Sequence, residues 1–118
     1  KSLQSAYRSS PYFEYFEDDF IKLYSKKEKF LVDFNIKCIK LISNLLDLDL
    51  DYKISSEYVE KTNDIIDLRD LSNARKQKTI ETPKYIQVFE SKHGYLNNLS
   101  IIDLIFSEGP NSVSLINN

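Results

Sequence analysis

The chain has 118 residues, enough for one domain with a real core and too few for two. With 42% hydrophobic and 29% charged residues, two glycines and three prolines, its composition excludes a disordered chain and describes a soluble globular one. Sixteen basic residues against eighteen acidic ones, a formal net charge of −2, leave no strong field for nucleic acid, so no nucleic-acid partner is expected. The bases are dispersed except around Arg75, Lys76 and Lys78, which read as a solvated loop. A single cysteine, Cys38, excludes an internal disulfide, and the lack of a cysteine and histidine cluster excludes a familiar zinc site. No apolar run approaches the length of a membrane span, and no basic start followed by an apolar segment reads as an export signal. A cytoplasmic home is therefore expected. The chain opens at Lys1 and holds no methionine, which reads as a fragment or a processed form.

In chain order, Ser9 or Ser10 before Pro11 reads as a helix start. Phe13, Phe16, Phe20 and Tyr24 then recur at helical spacing, which predicts a helix over Tyr12 to Ser25. A longer helix is predicted over Lys27 to Leu46, with Leu31, Phe34, Cys38, Leu41, Ile42 and Leu45 as its apolar stripe. The two are expected to pack as a hairpin. From Leu48 to Ser55 apolar and polar residues alternate, the pattern of a short edge strand or of a merely extended segment. The polar string from Asn73 to Pro83 reads as a surface loop. Short helices are predicted over Ile86 to Phe89, Ser100 to Ser107 and Asn111 to Ile116. The fold class is thus mainly α: a helical hairpin, a short extended segment and several short C-terminal helices.

The segment KHGYLNNLSIIDLIFSEGP, Lys92 to Pro110, sets polar residues where a loop meets a short apolar helix, a place where sites are often built. Ser100 suits the N-cap and Asp103 the acid of a capping box, while Gly109 supplies the left-handed residue past the helix end. This local account leaves over His93, Asn97, Asn98 and Glu108. His93 is the only histidine, and its titration range suits acid or base work, which makes it the candidate catalytic residue against the alternative of an exposed turn. Near Pro11, Phe13 and Phe16 read as core, whereas Tyr12 and Tyr15, beside Arg8 and Glu14, are open to a sugar or a base. Arg8 and Glu14 read either as a surface ion pair or, with Arg8 buried, as an anion site. Arg69, between Asp67 and Asp70, suits a phosphate or carboxylate, or else joins acidic helix ends. Asn35 falls on the predicted apolar face and would need partners there. Asp33 and Lys37 are spaced as a solvated pair, and Cys38 reads as core. No Gly-rich phosphate loop, G-x-S-x-G elbow or H-E-x-x-H string is present, and no cofactor is expected.

Five blocks, AYRSSPYFEYFEDDF from Ala6, LVDFN from Leu31, IIDLRD from Ile65, YIQVFESKHGY from Tyr85 and NLSIIDLIFSEGP from Asn98, stand in this order along the chain. Together they resemble the WbqC-like family, bacterial proteins linked to O-antigen and other surface-polysaccharide biosynthesis. The resemblance implies the C-terminal portion of such a protein, with a further N-terminal region upstream. It departs at Asn97, where the family commonly has proline, which implies a looser loop. Two functions follow as expectations. One is an enzyme modifying a sugar nucleotide or its amino-sugar substituent by group transfer, with Arg8, Tyr12, Arg69, His93 and Asn98 holding the substrate in one pocket. The other is a non-catalytic adaptor that binds protein partners among the biosynthetic enzymes through exposed tyrosines and the Asn97 to Leu99 loop.

Overall fold

The computed structural model describes residues 1–73, 75, 76 and 80–117. The chain is mainly helical, and no strand occurs among the described residues. Among the described residues six α-helices follow one another: α1 Ser2–Tyr7, α2 Phe13–Ser25, α3 Leu31–Leu45, α4 Glu90–His93, α5 Ile101–Glu108 and α6 Ser112–Ile116. Single 3-10 turns lie at Arg69–Ser72 and Gly109–Asn111.

The core is built around Phe106 of α5, which is fully buried. The rings of Tyr7, Phe13 and Phe20 surround it at centroid distances of 5.1, 5.2 and 5.1 Å. The i, i+3, i+7 spacing of Phe13, Phe16 and Phe20 puts all three on the buried face of α2, as the sequence predicts. A backbone bond from Tyr12 N–H to Phe106 C=O, 2.9 Å, ties the start of α2 to α5. Ser112, also fully buried, donates its hydroxyl to Leu104 C=O at 3.3 Å and joins α6 to α5.

Helix α2 starts one residue later than predicted, and neither Ser9 nor Ser10 caps it. Ser10 instead closes α1: its hydroxyl and its N–H both bond to Tyr7 C=O, at 2.6 and 2.9 Å. Helix α3 starts at Leu31 rather than Lys27, because Phe30 is extended and residues 27–30 form a non-helical approach. Leu31, in the first turn, lies beyond the reach of the core and is 74% exposed. The inward arc is Phe34, Cys38, Leu41, Ile42 and Leu45, all half-buried, and Asn35 turns to solvent rather than into the core. Lys37 pairs with Glu28, from the approach to the helix, and not with Asp33. Helices α2 and α3 pack on each other, with Tyr24 and Phe34 at 5.8 Å between ring centroids.

The end of α3 is a Schellman motif with aspartate in the place usual for glycine. Asp47 has φ 51°, its N–H bonds to Asn44 C=O at 3.2 Å, and Leu48 N–H reaches back to Ser43 C=O at 2.8 Å. Past Leu48 the alternating segment is extended without forming a strand, and Leu50, Tyr52 and Ile54 are exposed. The Cα radius of gyration, 16.0 Å, exceeds the roughly 13.5 Å expected of a compact domain of this length, consistent with a middle segment that adds little to the core. The predicted loop from Asn73 to Pro83 holds no helix or strand where it is described; Ala74, Gln77, Lys78 and Thr79 lie outside the described residues. The helix predicted over Ile86 to Phe89 is absent. Those residues are extended and then turn, and the short helix α4 follows them.

Candidate functional site

Asp103, in the first turn of α5, is the residue around which a site is built. It is 2% exposed, and the hydroxyl of Tyr85 donates to its carboxylate at 2.6 Å. It does not close a capping box. Ser100 accepts from Ile102 N–H, at 3.5 Å, but the Asp103 carboxylate turns inward, where two phenols compete for it more effectively than a solvated backbone N–H. Burial, together with the Asp103 carboxylate, pushes the Tyr7 phenol up to about 12 and raises that of Tyr85 further. Both phenols therefore stay protonated, as donors, across the physiological range.

A cavity of about 260 Å³ opens beside this cluster. Tyr7 from α1, Asp103 from α5 and His93 at the end of α4 line it, with Phe89, Leu96 and Leu99 as apolar wall. Four hydrogen bonds fix the chain segment that carries Leu96. The buried Gln87 side chain acts as a surrogate strand partner for Leu96, donating to its C=O at 2.7 Å and accepting from its N–H at 3.0 Å. Tyr95 donates to Pro83 C=O at 2.8 Å, and Asn97 Oδ1 accepts from Thr82 N–H at 3.2 Å. The loop carrying Asn97 is thus tied by the asparagine side chain itself, so the replacement of a proline there does not leave it untethered.

The residues marked out by sequence lie in different places. His93 lines the cavity with Asp103. Arg8 is exposed at the end of α1, directly after Tyr7, and makes no ion pair with Glu14 among the described residues. Tyr12 is half-buried against Gly109, whose Cα faces its ring so closely that an added Cβ would stand 2.6 Å from it. Asn98 is exposed with φ 58°, a left-handed conformation that asparagine tolerates, and it turns the chain toward the Ser100 cap. Arg69 belongs elsewhere. Its guanidinium donates to both Asp67 oxygens, at 2.5 to 3.0 Å, and to Val59 C=O at 2.9 Å, and it lies 5.2 Å from the centre of the Tyr58 ring. These bonds hold the Asp67 carboxyl well below the usual carboxylate range. Arg69 lines a separate groove of about 670 Å³ with Tyr58, Ile65 and Ile66, so it and His93 do not share a cavity.

Sequence reasoning missed Tyr85 and Gln87 and gave Asp103 a different task. A signal for the first two was present: Tyr85, Gln87 and Phe89 alternate, and a period of two places them on one side of an extended segment. Ile86, on the other side, is 80% exposed. No cluster of three or more potential metal ligands occurs among the described residues, nor any helix long and apolar enough to cross a membrane.

Neither the curated proteins nor the solved structures provide a match to this chain. The family model of the WbqC-like protein family does, over residues 1–79. That stretch includes three of the five resembling blocks and the cavity wall at Tyr7, while Tyr85, His93 and Asp103 lie beyond it. Because the match covers 79 of 118 residues, the chain belongs to the WbqC-like protein family.

Proposed function

We propose that this protein serves the cytoplasmic stage of bacterial O-antigen or other surface-polysaccharide synthesis, as an enzyme that modifies a sugar nucleotide or its amino-sugar substituent by group transfer. Family membership supports the setting. The observation that carries the enzymatic reading is the cavity in which the buried Asp103 carboxylate and the sole histidine, His93, line one small space. A concave site with few convergent polar groups on an apolar wall suits a small-molecule substrate better than a flat protein partner. In this reading His93 accepts a proton from the reacting group and Asp103 orients it. Arg8, following Tyr7 at the cavity edge of α1, meets the diphosphate, and Tyr12 and Asn98 border the bound nucleotide. Arg69 has each of its three guanidinium nitrogens bonded within its own segment, so its part is to shape that segment.

The test is a titration of the full-length protein with nucleoside diphosphate sugars. Binding is expected, weakened by Arg8→Ala, while His93→Ala abolishes transfer with binding retained. Absence of nucleotide-sugar binding, or full transfer activity in His93→Ala, overturns the reading.

A second reading, an adaptor for other biosynthetic enzymes, is favoured by one observation. Ile54, Tyr58, Ile65, Ile66 and Leu68 are all more than 60% exposed within one segment of chain. An Ile66→Asp variant that loses association with a biosynthetic enzyme while keeping nucleotide-sugar binding would support this role.

A further inference from the structure

We propose that the cavity between α1, α4 and α5 binds a primary amine, with the Asp103 carboxylate as its counter-ion and the rings of Tyr7 and Phe89 as its walls. The inference rests on the enzymatic reading above and narrows its substrate to amino sugars that present a free amine.

The argument begins with an imbalance of charge. A buried carboxylate is costly unless it is paired and hydrogen-bonded. Asp103 is 2% exposed, and it takes part in no salt bridge among the described residues. Tyr85 contributes one neutral donor, to Oδ2, and the Tyr7 phenol is a second beside it, whereas a carboxylate has about four acceptor sites. Apart from His93, no basic side chain lines the cavity, and neither lysine nor arginine faces the carboxylate there.

The rest of the lining fits a cation. Tyr7 and Phe89 present aromatic surface, which attracts an ammonium through the ring quadrupole. Leu96 and Leu99 add apolar surface to the lining. An anionic group would be repelled by Asp103, and a neutral hydroxyl would gain only a weaker bond. Size gives the same answer. At about 260 Å³ the cavity lies below the roughly 300–1,000 Å³ typical of drug-sized ligand sites, so it takes a single ring or a short chain rather than a whole nucleotide sugar. The sugar ring would enter, and the nucleotide would remain outside.

The measurement is an NMR titration of the full chain with D-glucosamine, D-glucose and N-acetyl-D-glucosamine at neutral pH. D-glucosamine is expected to bind at least about tenfold more tightly than the other two, with shifts at the Leu96 and Leu99 amides. Asp103→Asn should erase that preference, and Phe89→Leu, which keeps the volume and removes the ring, should reduce it severalfold. Should Asp103→Asn fail to fold, Phe89→Leu and the comparison among the three sugars decide. Equal binding of D-glucose and D-glucosamine by the parent, or a preference that survives in folded Asp103→Asn, overturns the proposal. Nucleoside diphosphate sugars serve as the second arm. If they bind without preference for an amine, amine selection alone fails; if neither they nor the free sugars bind, the enzymatic reading fails with it.

Discussion

The hydroxyl of Tyr85 donates to the carboxylate of Asp103 at 2.6 Å, joining an extended segment to the first turn of α5 across 18 positions of chain. The same carboxylate, with burial as the larger cause, raises Tyr7 on α1. Three separate pieces of the chain therefore share one anion, and the arrangement has a consequence for pH. The folded-state value of Tyr7 is about 12 against 10.0 for the free phenol, and Tyr85 moves in the same direction. Between those values the folded chain keeps protons that the unfolded chain has released. The stabilisation is complete below pH 10.0 and is lost as pH rises through about 12. Urea midpoints measured across this interval should fall steadily, and Tyr7→Phe and Tyr85→Phe should each flatten the decline. A parent protein with a level midpoint over that range would contradict the coupling.

Gln87 makes a second prediction. Its side chain satisfies both backbone groups of Leu96 from a buried position. Gln87→Ala should cost about 1–3 kcal/mol, since it leaves buried groups without partners. Gln87→Glu should cost at least as much, because an acceptor replaces the donor that faces Leu96 C=O. Hydrogen exchange at the Leu96 amide is the direct check: protection should fall in both variants, and unchanged protection would show that the loop is held by other means.

Gly109 combines φ 54° with the Tyr12 ring lying where a Cβ would go. Gly109→Ala should therefore cost more than the roughly 1–3 kcal/mol of backbone strain alone. Pairing it with Tyr12→Ala should recover the steric part and leave the strain, so a double-mutant cycle is expected to show clear coupling. Additive losses would mean that the ring moves aside freely.

Ser100 accepts from Ile102 N–H and lines a different cavity from His93. Ser100→Ala should lose about 0.5–2 kcal/mol, toward the lower end given the 3.5 Å bond, and Ser100→Asp should keep most of the stability. Thermal melts of the two variants decide. A stable Ser100→Asp protein with no activity would assign the hydroxyl a chemical role instead.

How much of this was readable in the chain depends on how local each cause is. The buried face of α2 follows from the spacing of Phe13, Phe16 and Phe20, and the Ser100 cap from a hydroxyl directly before an apolar run, so sequence anticipates both. The predicted helix over Lys27 to Leu46 runs too far toward its start, because Phe30 is extended and residues 27–30 are not helical, and Leu31, though apolar, is left exposed. Asn35 was placed inward from a stripe anchored on Leu31. The site itself was only partly legible. His93 could be singled out as the sole histidine, but the inward turn of Asp103 depends on Tyr85 and Tyr7, and no spacing rule connects residues so far apart. Arg69 shows the converse. Its partner Asp67 stands two residues away, and that ion pair, with the bond to Val59 C=O, engages each of the three guanidinium nitrogens.

Phe106 sets the order in which this protein can be made. The rings that surround it come from the first 20 residues, and Tyr7 and Phe106 are separated by about a hundred positions, a long loop to close before the contact returns any stability. On the ribosome, α1 and α2 emerge with Phe13, Phe16 and Phe20 lacking the side chain they enclose. They must wait until α5 has left the exit tunnel, and until then their apolar faces are open to chaperones or to other nascent chains. Emergence of α5, rather than of the first helices, is the event that completes the core.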